Sequence, residues 1–149
     1  MDRTTIIYLE KDNKYLMLHR NKKEKDLNKD KWIGVGGHIE ENEAIEQCII
    51  REVKEETGLD LLDYKLCGEV LFDIDGFIEI MYVFTSTNFK GELIECNEGT
   101  LEWINKSEIK KLNLWEGDLI IFDKMTIDKY FKLKMIYRNN HLLSYEEYL

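Results

Sequence analysis

Three glutamates, Glu52, Glu55 and Glu56, end a segment that opens apolar with Ala44, Ile45, Cys48 and Ile49. Read as a helix at about 100° per residue from Ala44, the apolar residues Cys48, Ile45, Ile49 and Val53 span about 40° to 180°. Glu55, Glu52 and Glu56 fall at about 20°, 80° and 120°, within the arc of that same face. The other side carries Glu46, Gln47, Ile50, Arg51 and Lys54. Glu52 and Glu56 are an i,i+4 pair with Cβ atoms about 5–6 Å apart, and like charges so placed cost stability unless a cation compensates. Their oxygens suit a hard divalent ion, and Mg²⁺ commonly takes one or two protein carboxylates together with substrate phosphate oxygens. A solvated helix end, with Arg51 paired to Glu55 at i,i+4, is the competing reading, and this stretch alone leaves both open.

The preceding residues, WIGVGG (32–37), bring Gly34, Gly36 and Gly37 into a loop whose backbone can approach a ligand or metal closely. The loop is not a dinucleotide fingerprint, because Ile39 stands where the last glycine belongs. It is not a phosphate-binding P-loop either, because no GK[ST] follows.

Positioning these groups requires a scaffold, and the pattern predicts one. TTIIYLE (4–10) and KYLMLHR (14–20) read as strands joined by a KDN turn, and NKKEKDLNKDK (21–31) as a charged surface loop. A helix is expected over about 43–56, closed by Gly58 as a left-handed residue. Residues 61–74 and 77–87 read as paired strands around DIDG. A short helix is expected at 107–112, a longer one at 116–128 and a last strand at 129–137, with RNN (138–140) as a turn. Strands on both sides of a central helix, with more helix after them, predict an α/β domain with a mixed sheet.

The chain of 149 residues fits a single domain, 1–149, with a core of its own. Thirty acidic residues against 21 basic, a net charge of −9, argue against binding a nucleic-acid polymer, whose phosphates need clustered Lys and Arg. Small phosphorylated ligands remain compatible where metal ions screen the repulsion. Cys48, Cys67 and Cys96 form no CxxC pair and are expected as free thiols in a reducing compartment. No apolar run approaches the roughly 20 residues that span a bilayer, so a cytoplasmic protein is expected.

Taken together, GGHIEENEAIEQCIIREVKEETGL (36–59) resembles the signature of the Nudix hydrolases. That signature is Gly, five residues, Glu, seven residues, Arg-Glu-aliphatic, one residue, Glu-Glu, one residue, Gly-aliphatic. Gly37, Glu43, Arg51, Glu52, Val53, Glu55, Glu56, Gly58 and Leu59 meet it without a gap. The resemblance implies an α/β/α sandwich and hydrolysis of a nucleoside diphosphate linked to another group. It implies Mg²⁺, with Mn²⁺ as a substitute, held by Glu52, Glu55 and Glu56 and by a carbonyl of Gly36 or Gly37. Arg51 would orient a glutamate of the motif, and Glu43 would help position the metal shell or the loop.

Beyond the motif, the chain is similar to MutT-like enzymes, and within them to those that clear 8-oxo-dGTP and related oxidised purine triphosphates. In that group a late Trp followed by acidic residues forms the base pocket, matching Trp115 and Asp118. A late loop glutamate joins the metal site, matching Glu98. Two positions depart from the pattern: Ile33 stands where an asparagine reads the base, and Gly117 where a second acidic residue is found. Arg20 and His38 are candidates to touch phosphate, with surface roles as the alternative, and Trp103 reads more readily as core. The general base is Glu55 or Glu98. The implied reaction yields a nucleoside monophosphate and pyrophosphate in a monomer or homodimer. ADP-ribose, a nucleotide sugar or a dinucleoside polyphosphate is the alternative substrate, and a non-catalytic nucleotide sensor a further reading.

Overall fold

The computed structural model describes residues 1–148. Strands β1 (Asp2–Lys11) and β2 (Lys14–His19) form a hairpin through Asp12 and Asn13, whose φ angles of 53° and 61° are left-handed. Asp and Asn tolerate that conformation better than other non-glycine residues. The alternation of β1 then fixes the layering. Ile6 and Tyr8 enter one core, while Ile7 and Leu9 enter the other.

The principal sheet runs β11 (His141–Glu147), β10 (Phe131–Arg138), β6 (Lys65–Ile74), β7 (Phe77–Ser86), β1, β2, β3 (Trp32–Ile33). Two further strands branch from it, β4 (Val35–His38) from β1 and β9 (Thr100–Asn105) from β2. The pairs β1–β7 and β10–β6 are parallel and the others antiparallel, so the sheet is mixed. A small pair, β5 (Asp60–Leu61) with β8 (Phe89–Lys90), lies apart.

Helix α1 (Ile45–Thr57) buries Cys48, Ile49 and Val53, the latter two against Ile7, Leu9, Leu16, Val35 and Phe84. Complete burial of side chains such as Ile49 and Val53 contributes about 1.5–3 kcal/mol each. Helix α2 (Asp118–Met125) covers the opposite core through Ile121, packed with Tyr8, Met17, Val70 and Met135. The architecture is the expected α/β/α sandwich. Gly58 closes α1 with a φ of 81°, its N–H reaching the Lys54 carbonyl at 3.0 Å.

Several expectations shift. The glycine stretch 32–37 is not a free loop: Gly36 and Gly37 lie in β4, paired with Ile6 and Thr5. The long helix expected over 116–128 is shorter, and the short one over 107–112 is a 3₁₀ turn at Lys106–Lys111. Strands β9 and β11 were not expected. The Asn139–Asn140 turn, with φ of 53° and 68°, announces β11, because such a hairpin turn needs a second strand. The three cysteines are buried free thiols, and burial pushes the Cys48 thiol up to about 11. Among the described residues no helix is long and apolar enough to cross a membrane.

Candidate functional site

Strand β4 and the last turns of α1 lie side by side, and their contact builds the acidic end of a cleft. Glu56 is 9% exposed, and its Oε2 accepts the Gly36 N–H at 3.0 Å. Glu52 packs on Gly37 so closely that a Cβ there would sit 2.6 Å from Glu52 Oε1. A side chain at position 37 would push the Glu52 carboxylate aside, so glycine lets that carboxylate rest against the strand. Glu98, from the segment preceding β9, faces Glu56. It is approached by Arg20 Nη1 at 3.5 Å and Lys23 Nζ at 3.8 Å.

Arg51 holds this end from outside the cleft. Its Nε and Nη2 donate to the two Glu43 oxygens at 2.7 and 3.0 Å, and its Nη1 donates to Glu52 Oε1 at 2.9 Å. The Arg51 Nη2 also reaches the His38 carbonyl at 3.1 Å, tying helix to strand. Glu43 is thereby held down to about 2, first by the Arg51 hydrogen bonds and then by the Glu40 backbone N–H. The same contacts raise Arg51 above its ordinary range.

Glu56 moves the other way. Burial pushes it up to about 9, reinforced by Glu98 and Glu52 and eased by the Gly36 N–H. Glu52 is also raised by burial, and Arg51 opposes the rise. Crowded, desolvated carboxylates without a neutralising group are costly. The donor set is all hard oxygen and fits a divalent cation such as Mg²⁺.

Glu55 stands elsewhere. Its side chain is 58% exposed and meets Arg51 Nη1 at 3.3 Å, the i,i+4 pair of the competing reading. The cleft lies on the Glu56 side of Glu52, and Glu55 is about 100° round the helix from Glu56. The expectation that all three carboxylates share one wall therefore holds for two of them.

The cleft itself is about 580 Å³ and runs from Glu52, Glu56 and Glu98 to an aromatic end at Trp115, Tyr137 and Phe72. Arg20, Ile33, Gly36, Gly37, His38 and Asp118 also line it, whereas Arg51 and Glu55 do not. Trp115 meets the Tyr137 ring edge-on at 6.0 Å and carries Lys31 Nζ 4.8 Å from its centroid. Loss of solvent pushes Asp118 up to about 7, against the pull of a Trp115 backbone hydrogen bond and of Lys31.

Gly117 donates its N–H to Tyr137 Oη at 2.7 Å, and a Cβ there would meet Met135 Sδ at 2.5 Å. A side chain at this position would have to displace the ends of Met135 and Tyr137, which is consistent with glycine at one of the two departures from the pattern. Arg20 is committed to Asp26 by two hydrogen bonds, 2.8 and 3.1 Å. His38 is exposed, its ligand atoms within 4.8 Å of those of Asp2 and Glu79. Trp103 stacks on Phe89 at 5.9 Å, partly buried against the core.

Sequence reasoning missed Asn28, Phe72, Tyr137 and Asn140 on the cleft wall. Its charged surface loop, 21–31, in fact closes one side of the cleft through Leu27 and Asn28. The signal available was a lone leucine in a run of charges.

The mixed sheet and the glycine strand against α1 thus set paired carboxylates at one end of a cleft and an aromatic pocket at the other. The NUDIX domain family matches residues 1–125, and the chain belongs to it, among the Nudix hydrolases. An "Oxidized purine nucleoside triphosphate hydrolase" of Danio rerio is 33% identical over 103 residues, 68% of this chain and 66% of that protein. The "Uncharacterized Nudix hydrolase YvcI" of Bacillus subtilis is 30% identical over 131 residues, 84% of this chain and 79% of that one. The crystal structure of a mutator MutT protein from Bacillus halodurans superposes with a TM-score of 0.87 at 28% identity, covering 99% of this chain and 97% of the other.

Proposed function

We propose that the protein is a Mg²⁺-dependent pyrophosphohydrolase of purine nucleoside triphosphates, oxidised purines of the 8-oxo-dGTP kind included. The products are the nucleoside monophosphate and pyrophosphate. One observation carries this reading: a single cleft joins buried carboxylates at one end to an aromatic pocket with a desolvated acid at the other. The relative from Danio rerio, named for oxidised purine nucleoside triphosphates, supports the choice of substrate class.

Glu52, Glu56 and Glu98, with a carbonyl of Gly36 or Gly37, would hold the metal. A Mg²⁺ or Mn²⁺ ion held there would neutralise polyphosphate charge and lower the pKa of water. Arg51 fixes Glu52 and Glu43 and so acts as a positioning residue. Of the two candidate bases, Glu98 lines the cleft and Glu55 does not, so a Glu98 carboxylate oxygen is assigned the proton of the attacking water. Trp115 stacks on the base and Asp118 meets its polar edge, while His38 borders the phosphate end. Arg20 contributes by holding Glu98.

The test is a panel of canonical and oxidised nucleoside triphosphates assayed for pyrophosphate release with Mg²⁺, then Mn²⁺, then EDTA. Metal-dependent turnover of a purine triphosphate is expected. Preference for ADP-ribose, a nucleotide sugar or a dinucleoside polyphosphate in the same panel would replace the substrate assignment. Nucleotide binding without any turnover would make the protein a sensor.

A further inference from the structure

Ile33 cannot hydrogen-bond a base, and Gly117 has no side chain, so the base end lacks two of the polar groups that its pattern leads one to expect. The loop between β2 and β3 brings another polar side chain, Asn28, to the same end of the cleft. Trp115 Nε1 donates to Asn28 Oδ1 at 2.7 Å. An indole N–H is a donor only, so the amide must turn its oxygen to Trp115 and its NH₂ away. Nδ2 has no protein partner among the described residues, and Asn28 lines the cleft with Ile33, Asp118 and Trp115.

The side chain is also held in place. The Asn28 N–H donates to Asp26 Oδ1 at 3.0 Å, and its carbonyl accepts the Lys31 N–H at 2.8 Å. The Asp26 carboxylate is 5% exposed and clamped by Arg20, whose Nη1 approaches Glu98. A chain of contacts thus runs from the carboxylate end through Arg20 and Asp26 to Asn28 and Trp115. The cost of ordering Asn28 is met before any ligand arrives.

We infer that Asn28 is a specificity-determining residue of this cleft, donating from its side-chain NH₂ to an acceptor on the edge of the bound base. The ligand it favours is an oxo-purine, which offers a carbonyl oxygen, over an amino-purine, which offers a donor at that place. This assignment rests on the nucleotide reading above and adds the group that reads the base.

Asn28→Asp separates reading from support. It keeps an oxygen for Trp115 Nε1 and replaces the NH₂ by an acceptor. Binding of GMP, IMP and AMP to wild type, Asn28→Asp and Asn28→Ala is measured by calorimetry, with melting temperatures alongside. Loss of a polar reader costs large factors in discrimination, so GMP and IMP should weaken roughly 10- to 100-fold in Asn28→Asp and AMP by much less. Unchanged GMP affinity in Asn28→Asp, with a loss in Asn28→Ala, would reduce Asn28 to a support for Trp115 and overturn the inference. Should Asn28→Asp fail to fold, Asn28→Ala decides: equal weakening of oxo- and amino-purines overturns it, and selective weakening of oxo-purines upholds it. Wild type that binds none of the three also overturns it. Wild type that binds GMP in an Asn28-dependent way but hydrolyses no triphosphate upholds the inference and removes the proposed activity instead.

Discussion

Glu56→Gln isolates the acidic end of the cleft. Glu56 is buried, and its pKa rises from the ordinary 4.5 to about 9. A raised carboxyl pKa means that the folded metal-free protein binds a proton which the unfolded chain has released. The contribution to stability is fully present below about pH 4.5 and is lost progressively as pH rises to about 9. Above pH 4.5 folding takes up close to one proton, so wild type should lose stability on the order of 1 kcal/mol with each pH unit up to pH 8.

Glutamine is neutral at every pH and keeps an oxygen for the Gly36 N–H. The variant should therefore lack this slope. In EDTA the two proteins should melt together only near pH 4.5, and by pH 6 the variant should already melt several degrees above wild type. At pH 8 in EDTA the gap should be wider still, on the order of 10 °C or more. Mg²⁺ should reverse the order, stabilising wild type far more, and pyrophosphate release by the variant should fall by orders of magnitude. Thermal melts at these pH values, with and without Mg²⁺, check all of this. Parallel pH slopes in EDTA, with equal stabilisation by Mg²⁺, would refute both the desolvated Glu56 and its place in the metal site.

Arg51→Lys loses the two-pronged grip on Glu43 and the bond to Glu52, and should lower kcat about 10- to 100-fold with little change in KM. Because Arg51 holds Glu43 at about 2, that stability is present above pH 4.5 and lost as pH falls toward 2. The melting difference between wild type and Arg51→Lys should accordingly narrow over that interval. Trp115→Ala should raise KM for purine triphosphates more than it lowers the melting temperature; an unaltered KM with a large melting loss would return Trp115 to a structural role. Gly117→Asp should cost about 1–3 kcal/mol in denaturant unfolding through collision with Met135 and Tyr137, and should not improve base binding.

The local pattern of the chain determined a good deal. The alternation in β1, the left-handed residues at 12–13 and 75–76 and the Gly58 helix stop are short-range features, set by dihedral preference and by the period of a strand or helix. The spacing from Gly37 to Leu59 likewise put Glu52 and Glu56 on one helical face, with Arg51 on the other side and one i,i+4 step from Glu55. Strand β9 escaped because its stability comes from β2, distant in sequence, whereas β11 is announced locally by the Asn139–Asn140 turn that joins it to β10.

What tertiary structure decided is which groups meet across the cleft. A helical wheel assigns Glu55 to the same arc as Glu56, and only the placement of β4 on one side of Glu52 leaves Glu55 on the outer surface beside Arg51. Glu98 joins Glu56 from 42 positions along the chain, and Asn28 reaches Trp115 from 87. Neither contact has a local signature, because residue spacing sets direction along one element, whereas a binding site is made where several elements converge.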